Sequence, residues 1–181
     1  MIGGYYRGRR LRAAGGLQVR PTSDRLRETL FNILSSEVEG SRFLDICAGS
    51  GAVAIEALSR GASHATLIEA SRRACSVIEE NLRSLGISER ATLINRDAVG
   101  ALRRLASERQ QFDIAFFDPP YDSELYSKVM TILATESVLS PGGILVVEHR
   151  AKAPPAIEVE GLRLYRRLKQ GESALAFYER V

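Results

Sequence analysis

The sequence predicts an α/β fold in which helices cover both faces of a seven-stranded, mostly parallel sheet. Short continuous apolar segments alternate with amphipathic segments along most of the 181-residue chain. This alternation is typical of parallel sheets, whose strands are buried on both faces. Near the end of the chain, two strand-like segments flank Gly171 and predict a hairpin. We therefore expect the last strand to be antiparallel to the rest.

The predicted elements follow one another in a regular order. A helix capped by Thr22 or Ser23 begins near Asp24 and extends to about Val38. The predicted strands span 42–47, 65–69, 91–95, 112–117, 144–149, 162–169 and 174–180. The other predicted helices span 51–60, 71–85, 98–108 and 123–138. We expect one domain over residues 23–181, preceded by a basic arm over residues 1–22 that is irregular or a short β-hairpin.

The composition excludes several classes of protein. No apolar segment approaches the roughly 18 residues of a membrane helix, and the N-terminus lacks the apolar core of a signal peptide. Cys47 and Cys75 do not form a metal-type or redox pair, and His64 and His149 are not clustered with other ligands. We expect a cytoplasmic monomer without a metal site or membrane contact, in which His149 is a structural residue at a strand end.

Positive charge is concentrated near the N-terminus. Residues 1–27 contain seven arginines and a single acid, Asp24. Arginine binds phosphates in bidentate geometry and stacks on bases, and here it is interleaved with glycine and with Tyr5 and Tyr6. A solvated tail would carry similar charge, and the tyrosines are equally suited to anchoring the arm. We favour nucleic-acid binding, through Arg7, Arg9, Arg10, Arg12 and Arg20.

A glycine turn follows the first predicted strand, which contains Asp45. The turn begins a helix and comprises Ala48, Gly49, Ser50 and Gly51. Glycines let the backbone turn sharply and approach a ligand closely, although a tight turn without a ligand has the same requirement. The pattern over residues 49–54 also fits the dinucleotide fingerprint G-x-G-x-x-A. The turn therefore predicts a nucleotide-type ligand without specifying which.

Acids end the next two predicted strands. Glu69, followed by Ala70, can bind ribose hydroxyls, and Asp97, followed by Ala98, can accept a hydrogen bond from an adenine amine. Both acids are equally plausible as helix N-caps. Because Asp45 would repel a pyrophosphate but suits a cationic sulfonium with an amino-acid tail, S-adenosylmethionine is favoured over NAD.

The fourth predicted strand ends in Asp118, Pro119, Pro120 and Tyr121. The carboxylate and a backbone carbonyl can accept hydrogen bonds from an exocyclic amine, while the aromatic ring stacks on the base. The prolines stiffen the turn and remove N–H donors, as they also do at an ordinary strand end. Beside a bound S-adenosylmethionine, which Asp118 would also border, these four residues predict a catalytic site for methyl transfer to an amine.

Together these motifs resemble the class I S-adenosylmethionine-dependent amino-methyltransferases. More narrowly, the chain resembles the bacterial 16S rRNA guanine-N2 methyltransferases, the small-subunit rRNA methyltransferase D family. The resemblance rests on residues 2–11, 20–32, 48–51 and 56–62, of which 20–32 is the most specific segment. Cys47 stands where the family usually has Phe, and Ser23 where Thr is common. The first of these departures bears on cofactor packing rather than on chemistry.

The resemblance implies a Rossmann-like domain, S-adenosylmethionine as methyl donor and the N2 amine of one guanine as acceptor. The substrate would be 16S rRNA, free or in the assembling 30S subunit, with the base splayed out of its stack. Arg25 and Glu28 would border the cofactor, although Glu28 equally suits the positive end of a helix dipole. Open alternatives are amino-methylation of DNA adenine, tRNA or protein glutamine, an NAD-dependent dehydrogenase, and a non-catalytic RNA-binding protein.

Overall fold

The computed structural model describes residues 1–13, 23–120, 124–152 and 159–181. The helices are α1 Asp24–Ile33, α2 Ala52–Ser59, α3 Arg72–Leu85, α4 Ala98–Ser107 and α5 Leu125–Thr135, with a 3-10 turn at Ser88–Arg90. The strands are β1 Arg42–Ile46, β2 His64–Glu69, β3 Ala91–Asn95, β4 Phe112–Phe117, β5 Leu139–Arg150, β6 Leu162–Gln170 and β7 Ser173–Arg180.

The strands form one seven-stranded sheet in the order β3-β2-β1-β4-β5-β7-β6. The first five strands of this order are parallel, and β7 runs antiparallel to both β5 and β6. β6 and β7 form a hairpin in which Gln170 is paired with Ser173 across Gly171, whose φ of 63° suits glycine. The predicted sheet, with its last strand antiparallel, is confirmed.

Apolar clusters lie on both faces of the sheet. Side chains alternate along β4, so that Ile114 and Phe116 pack with α1, α2 and α3, whereas Ala115 and Phe117 pack with α4 and α5. Burial on both faces explains why the strand sequences are continuously apolar. Each helix carries one apolar stripe that covers a face of the sheet, and helices therefore alternate with strands along the chain.

Two element boundaries differ from the predicted ones by five residues; smaller differences occur elsewhere, including the end of α5 at Thr135 rather than residue 138. The first helix ends at Ile33 rather than Val38, because Ser35 and Ser36 favour turns and the backbone continues through hydrogen-bonded turns to Ser41. β5 begins at residue 139 rather than 144, and its extra residues include an irregularity in the pairing with β4. Neither difference lies at the edge of the sheet formed by the carboxyl ends of the parallel strands, so that edge is as predicted.

Candidate functional site

The carboxyl ends of β1, β2, β3 and β4 meet at one edge of the sheet. Ile46 is in register with Ile68 on one side and with Phe117 on the other, while Glu69 pairs with Asn95. The residues that follow β1 therefore lie between the end of β2 on one side and the end of β4 on the other. Ligands of open α/β sheets bind at this edge, so the structure brings the predicted strand-end residues together where a ligand would lie.

The backbone turns sharply after β1. Cys47 has a positive φ of 69°, and the N–H groups of Cys47 and Ala48 both donate to the Ile68 carbonyl at 3.0 Å. Gly49 and Gly51 follow with φ of 57° and 77°. A Cβ on Gly51 would lie 3.1 Å from the Leu67 side chain, so this glycine is needed for packing as well as for the turn.

Glu69 fixes the glycine turn to the end of β2. Its Oε2 accepts from the Gly49 N–H and its Oε1 from the Ser71 N–H, both at 2.8 Å. The N-cap of α3 is Ser71, whose hydroxyl accepts from the Ala74 N–H, so the alternative of Glu69 as N-cap is wrong. Each carboxylate oxygen retains a lone pair, which keeps the predicted ribose role chemically open.

Asp97 is the N-cap of α4, which is one of the two roles that the sequence allows for it. Its Oδ1 accepts from the Gly100 N–H at 2.8 Å, and the residue is exposed at the carboxyl edge. Ala98 is buried in the cluster under α4, and Ala70 is exposed beside Glu69. The roles of these residues toward a cofactor remain predictions.

Asp45 is buried beneath the glycine turn. Its Oδ2 accepts from the Ala54 N–H in the first turn of α2 at 3.0 Å. Burial raises the pKa of Asp45 to about 7, an effect that the Ala54 N–H opposes and the Glu69 carboxylate increases. A cationic ligand group at this edge would favour the ionised form.

Three carboxylates converge on the thiol of Cys47. Burial raises the pKa of Cys47 to about 12, and Glu69, Asp118 and Asp45 act in the same direction as burial. Negative charge is thus gathered at the end of β1, beside the glycine turn. These carboxylates suit a ligand with a sulfonium and an ammonium group, and they would repel a pyrophosphate.

The Asp118 turn lies next to β1. The Asp118 N–H approaches the Ile46 carbonyl at 3.4 Å, the residue is half-buried, Pro119 is buried and Pro120 is exposed. Tyr121, the predicted stacking residue, lies outside the described residues. The catalytic assignment of the four residues stays a prediction.

The predicted residues of α1 are less closely tied to this edge. Arg25 and Glu28 are near the start of α1, and the hydrogen bonds and ion pairs seen for the described residues do not join their side chains to the strand ends. Ser23 is the N-cap of α1, because its hydroxyl accepts from the Leu26 N–H; Thr22 is outside the described residues. The bordering role of Arg25 and Glu28 stays a prediction.

The start of the basic arm is fastened to α2 by a buried carboxylate. Glu56 is fully buried, and its two oxygens accept from the N–H groups of Ile2 at 2.9 Å and Gly3 at 2.7 Å. Arg60 donates to the same carboxylate at 2.8 Å, and the Arg27 guanidinium lies 3.9 Å away. Arg27 is buried, so it is not part of the exposed basic surface.

The end of the described arm is fastened to α3 and to the glycine turn. The buried Asn81 accepts from the Arg12 N–H at 2.7 Å and donates to the Arg12 carbonyl at 3.0 Å. It also donates to the Ser50 carbonyl at 3.1 Å. One amide side chain therefore joins the arm to the loop at the candidate cofactor site.

The arginines of the described arm are exposed, as their predicted role requires. They are Arg7, Arg9, Arg10 and Arg12. Arg12 forms an ion pair with Glu80 at 2.6 Å, and Arg9 donates to the Ser84 carbonyl at 3.3 Å. Arg20 lies outside the described residues, as does the predicted end of the arm. The arm is therefore a held segment over residues 1–13, and its RNA contacts stay a prediction.

Glu56 and Asn81 are the residues that sequence reasoning missed. Each is a polar residue on an otherwise apolar helix face, Glu56 within the buried stripe of α2 and Asn81 between Ile78 and Leu82 of α3. Buried polar groups need partners. That interruption of the apolar stripe was the available signal, although it does not reveal that the partner is the arm.

Other features lie away from the strand-end site. A groove of about 860 Å³ runs between α4 and the β2–β3 side of the sheet, lined in part by Arg42, Thr92 and Phe112, and it does not include Asp45 or Asp118. No group of three or more potential metal ligands occurs within the described part of the chain. A search of the same residues found no helix with the length and apolarity needed to cross a membrane.

Known proteins share both the sequence and the fold. Ribosomal RNA small subunit methyltransferase D of Escherichia coli K12 is 35% identical over 189 residues, covering 96% of this chain and 92% of its own. The protein of that name from Haemophilus influenzae is 33% identical over 180 residues, with coverages of 99% and 92%. The solved structure of a hypothetical protein from Thermus thermophilus is 29% identical, with a TM-score of 0.81 over 97% of this chain and 96% of that one.

The family described as Conserved hypothetical protein 95 matches residues 1–179. Its match extends from the basic arm to the terminal hairpin, as do the matches to the two methyltransferases. The chain therefore belongs to this family, and the kinship with small-subunit ribosomal RNA methyltransferases that its motifs predict is confirmed.

Proposed function

We propose that this protein transfers a methyl group from S-adenosylmethionine to the exocyclic N2 of a guanine in 16S rRNA. The observation that carries the proposal is the convergence of Asp45, Glu69 and Asp118 on the end of β1, beside the glycine turn. The two methyltransferases similar to this chain, whose names specify small-subunit ribosomal RNA, support the substrate class. From the resemblance to the 16S rRNA guanine(966)-N2 methyltransferases, we propose position 966 as the target nucleotide.

The residues at the carboxyl edge suit the parts of the methyl donor. Bound S-adenosylmethionine supplies a methyl group activated by its sulfonium. Asp45 and the neighbouring carboxylates favour the cationic groups, and Glu69 has lone pairs for the ribose hydroxyls. Asp97 uses Oδ1 for its cap, which leaves Oδ2 for an adenine amine.

Asp118 and its neighbours hold the acceptor amine. The lone pair of guanine N2 is delocalised into the ring, which makes the amine a weak nucleophile. Hydrogen bonds from N2–H to the Asp118 carboxylate and the Pro119 carbonyl favour a pyramidal nitrogen whose lone pair points at the methyl group. Alignment of this kind lowers the activation barrier by roughly 7–11 kcal/mol. Stacking on Tyr121 contributes about 1–3 kcal/mol to binding of the base. With S-adenosylmethionine bound, transfer would form the N–C bond as the S–C bond breaks, and Asp118 or water would take the proton that the amine loses.

A labelled-methyl assay tests the substrate class. S-adenosylmethionine with a labelled methyl group is incubated with naked 16S rRNA, hypomethylated 30S subunits, DNA and protein. We expect incorporation into 16S rRNA or the 30S subunit. Incorporation into DNA or protein alone would contradict the proposal and would identify one of the alternative amino-methyltransferases. Incorporation into none of the four would contradict the proposal and would leave a tRNA methyltransferase or a non-catalytic protein.

Asp118→Ala tests the site within the same assay. We expect a loss of about 10²–10³-fold in transfer rate, by analogy with the removal of one positioned hydrogen-bonding group, with S-adenosylmethionine affinity changed by much less. Asp113→Ala at the opposite end of β4 is the matched control, because Asp113 bonds the Arg42 N–H at the amino edge. Equal losses in both variants would place the effect in folding and contradict the role of Asp118.

A further inference from the structure

The outer strand of the hairpin carries a second basic surface. β6 is the edge strand of the sheet and carries Arg166, Arg167 and Lys169, which we call the β6 surface. Arg163 on the same strand is paired with Glu179, whereas no ion pair joins the three residues of the β6 surface to a carboxylate within the described ranges. Their charge is therefore available to a partner.

The β6 surface reaches the same edge of the sheet as the Asp118 turn. Ser173 is in register with Arg150 at the end of β5 and with Gln170 at the end of β6. Lys169 and Arg167 thus lie toward the carboxyl edge. From β4, the order β5, β7, β6 gives three strand spacings, or about 14 Å. A few nucleotides of single-stranded RNA span this distance.

Small residues on β7 leave Arg167 and Lys169 accessible from one face, whereas Arg166 is in register with Phe177. Lys169 is in register with Ala174, which is in register with His149, and Arg167 is in register with Ala176. The pKa of His149 is lowered by burial first and by the positive charge of Arg167 as a smaller effect. The field of Arg167 thus extends across β7 toward β5, the strand next to β4.

An aromatic side chain accompanies Arg166 on the other face of the strand from Arg167 and Lys169, and its ring packs against Phe177. Tyr165 is 46% exposed and precedes Arg166 on the edge strand. Exposed aromatic rings beside arginine stack on unpaired bases, whereas an acidic protein partner would use the charge alone. Charge and ring together favour a nucleic acid.

We propose that the β6 surface binds phosphates of the RNA that flanks the target base. The inference rests on the proposed function. The arm is joined through Asn81 to the Ser50 turn after β1, which neighbours β4 on the side opposite β5. Arm and β6 surface therefore lie on opposite sides of the Asp118 turn. RNA bound to both is held on each side of the base that enters the site.

The test is the double variant Arg167→Gln/Lys169→Gln, with RNA affinity measured from 50 to 200 mM salt. Each lost phosphate contact removes about 0.7 from the log–log salt slope for single-stranded nucleic acid. We expect a slope smaller by about 1.4 and an affinity about tenfold lower or more at 0.1 M salt. The Kd for S-adenosylmethionine should equal that of the wild-type protein.

The matched control is Arg103→Gln/Arg109→Gln, which removes the same charge from exposed residues on and after α4. It should retain the wild-type slope. The inference would be overturned if the Arg167/Lys169 variant kept the salt slope of the wild-type protein, or if the control lost as much of that slope. Either result would leave the proposed function intact. A wild-type protein that methylates only DNA or protein would overturn both, so the two failures are distinguishable.

Discussion

The carboxyl group of Asp45 shows at the residue scale how a ligand site opposes stability. Its pKa is about 7 in the folded protein against 3.8 for an ordinary aspartate, so the folded state retains a proton that the unfolded chain releases. Stability without ligand therefore falls as pH rises from about 4 to about 7. This cost is offset when a cationic ligand pairs with the ionised carboxylate.

Asp45→Asn should remove that pH dependence. Asn retains an oxygen for the Ala54 N–H but carries no charge. At pH 8 and without ligand, we expect the variant to be about 2–4 kcal/mol more stable than wild type, since each unit of pKa shift is worth about 1.4 kcal/mol. At pH 5 the advantage should fall to about 1.6 kcal/mol, because only the unfolded carboxyl is largely ionised there. Denaturant unfolding at both pH values measures this, and an equal difference at both would contradict it.

Cys47 offers a second residue-scale prediction. A rise in pKa from 9.0 to about 12 lowers the thiolate fraction at pH 8 by about 10³-fold, and the thiolate is the reactive form. We expect iodoacetamide to alkylate Cys47 about 10³-fold more slowly than an ordinary thiol. Peptide mass spectrometry distinguishes Cys47 from Cys75, and Cys47→Ser confirms the assignment. Rapid modification at pH 8 would contradict the raised pKa that burial and the three carboxylates give the thiol.

At the scale of elements, two buried side chains hold the arm at separate points. Glu56 of α2 binds the N–H groups of Ile2 and Gly3, while Asn81 of α3 binds the backbone of Arg12 and the Ser50 carbonyl. An arm fixed at both points presents its arginines in a defined position, which would lower the entropy lost in the RNA binding that we propose.

Asn81→Ala should release the arm at Arg12 and leave it attached at Ile2 and Gly3. Hydrogen exchange should accelerate at the Arg12 amide, while the Ile2 and Gly3 amides stay protected by Glu56. Loss of a buried partner should destabilise the protein by about 1–3 kcal/mol, and RNA affinity should fall. Glu56→Gln is the converse variant, with faster exchange at Ile2 and Gly3. Simultaneous exchange of both groups in either variant would show that the arm detaches as one unit.

Strand positions and strand-end acids could be predicted because they follow from local pattern. β4 is apolar almost throughout because both faces are buried, and the parallel order then places Glu69 and Asp118 at one edge. The end of α1 could not be predicted, since Val38 is buried in a turn and continues the apolar pattern past the helix. The roles of Glu56 and Asn81 could not be predicted either, because their partners are distant in sequence.

For the whole molecule, ligand binding should appear as stability. A ligand at 100 times its Kd adds about 2.7 kcal/mol, which for a chain of this size raises Tm by roughly 5–11 °C. We expect S-adenosylmethionine to produce this rise and NAD to produce none. Differential scanning fluorimetry measures both, and a rise with NAD alone would revive the dehydrogenase alternative.

The most direct test of the central claim is the identity of the methylated nucleoside. RNA methylated by the wild-type protein is digested to nucleosides and analysed by mass spectrometry against standards. We expect N2-methylguanosine, lost in the Asp118→Ala variant and retained in Asp113→Ala. A methylated adenosine, or a guanosine methylated on a ring nitrogen, would contradict the assignment of the Asp118 turn to the guanine amine.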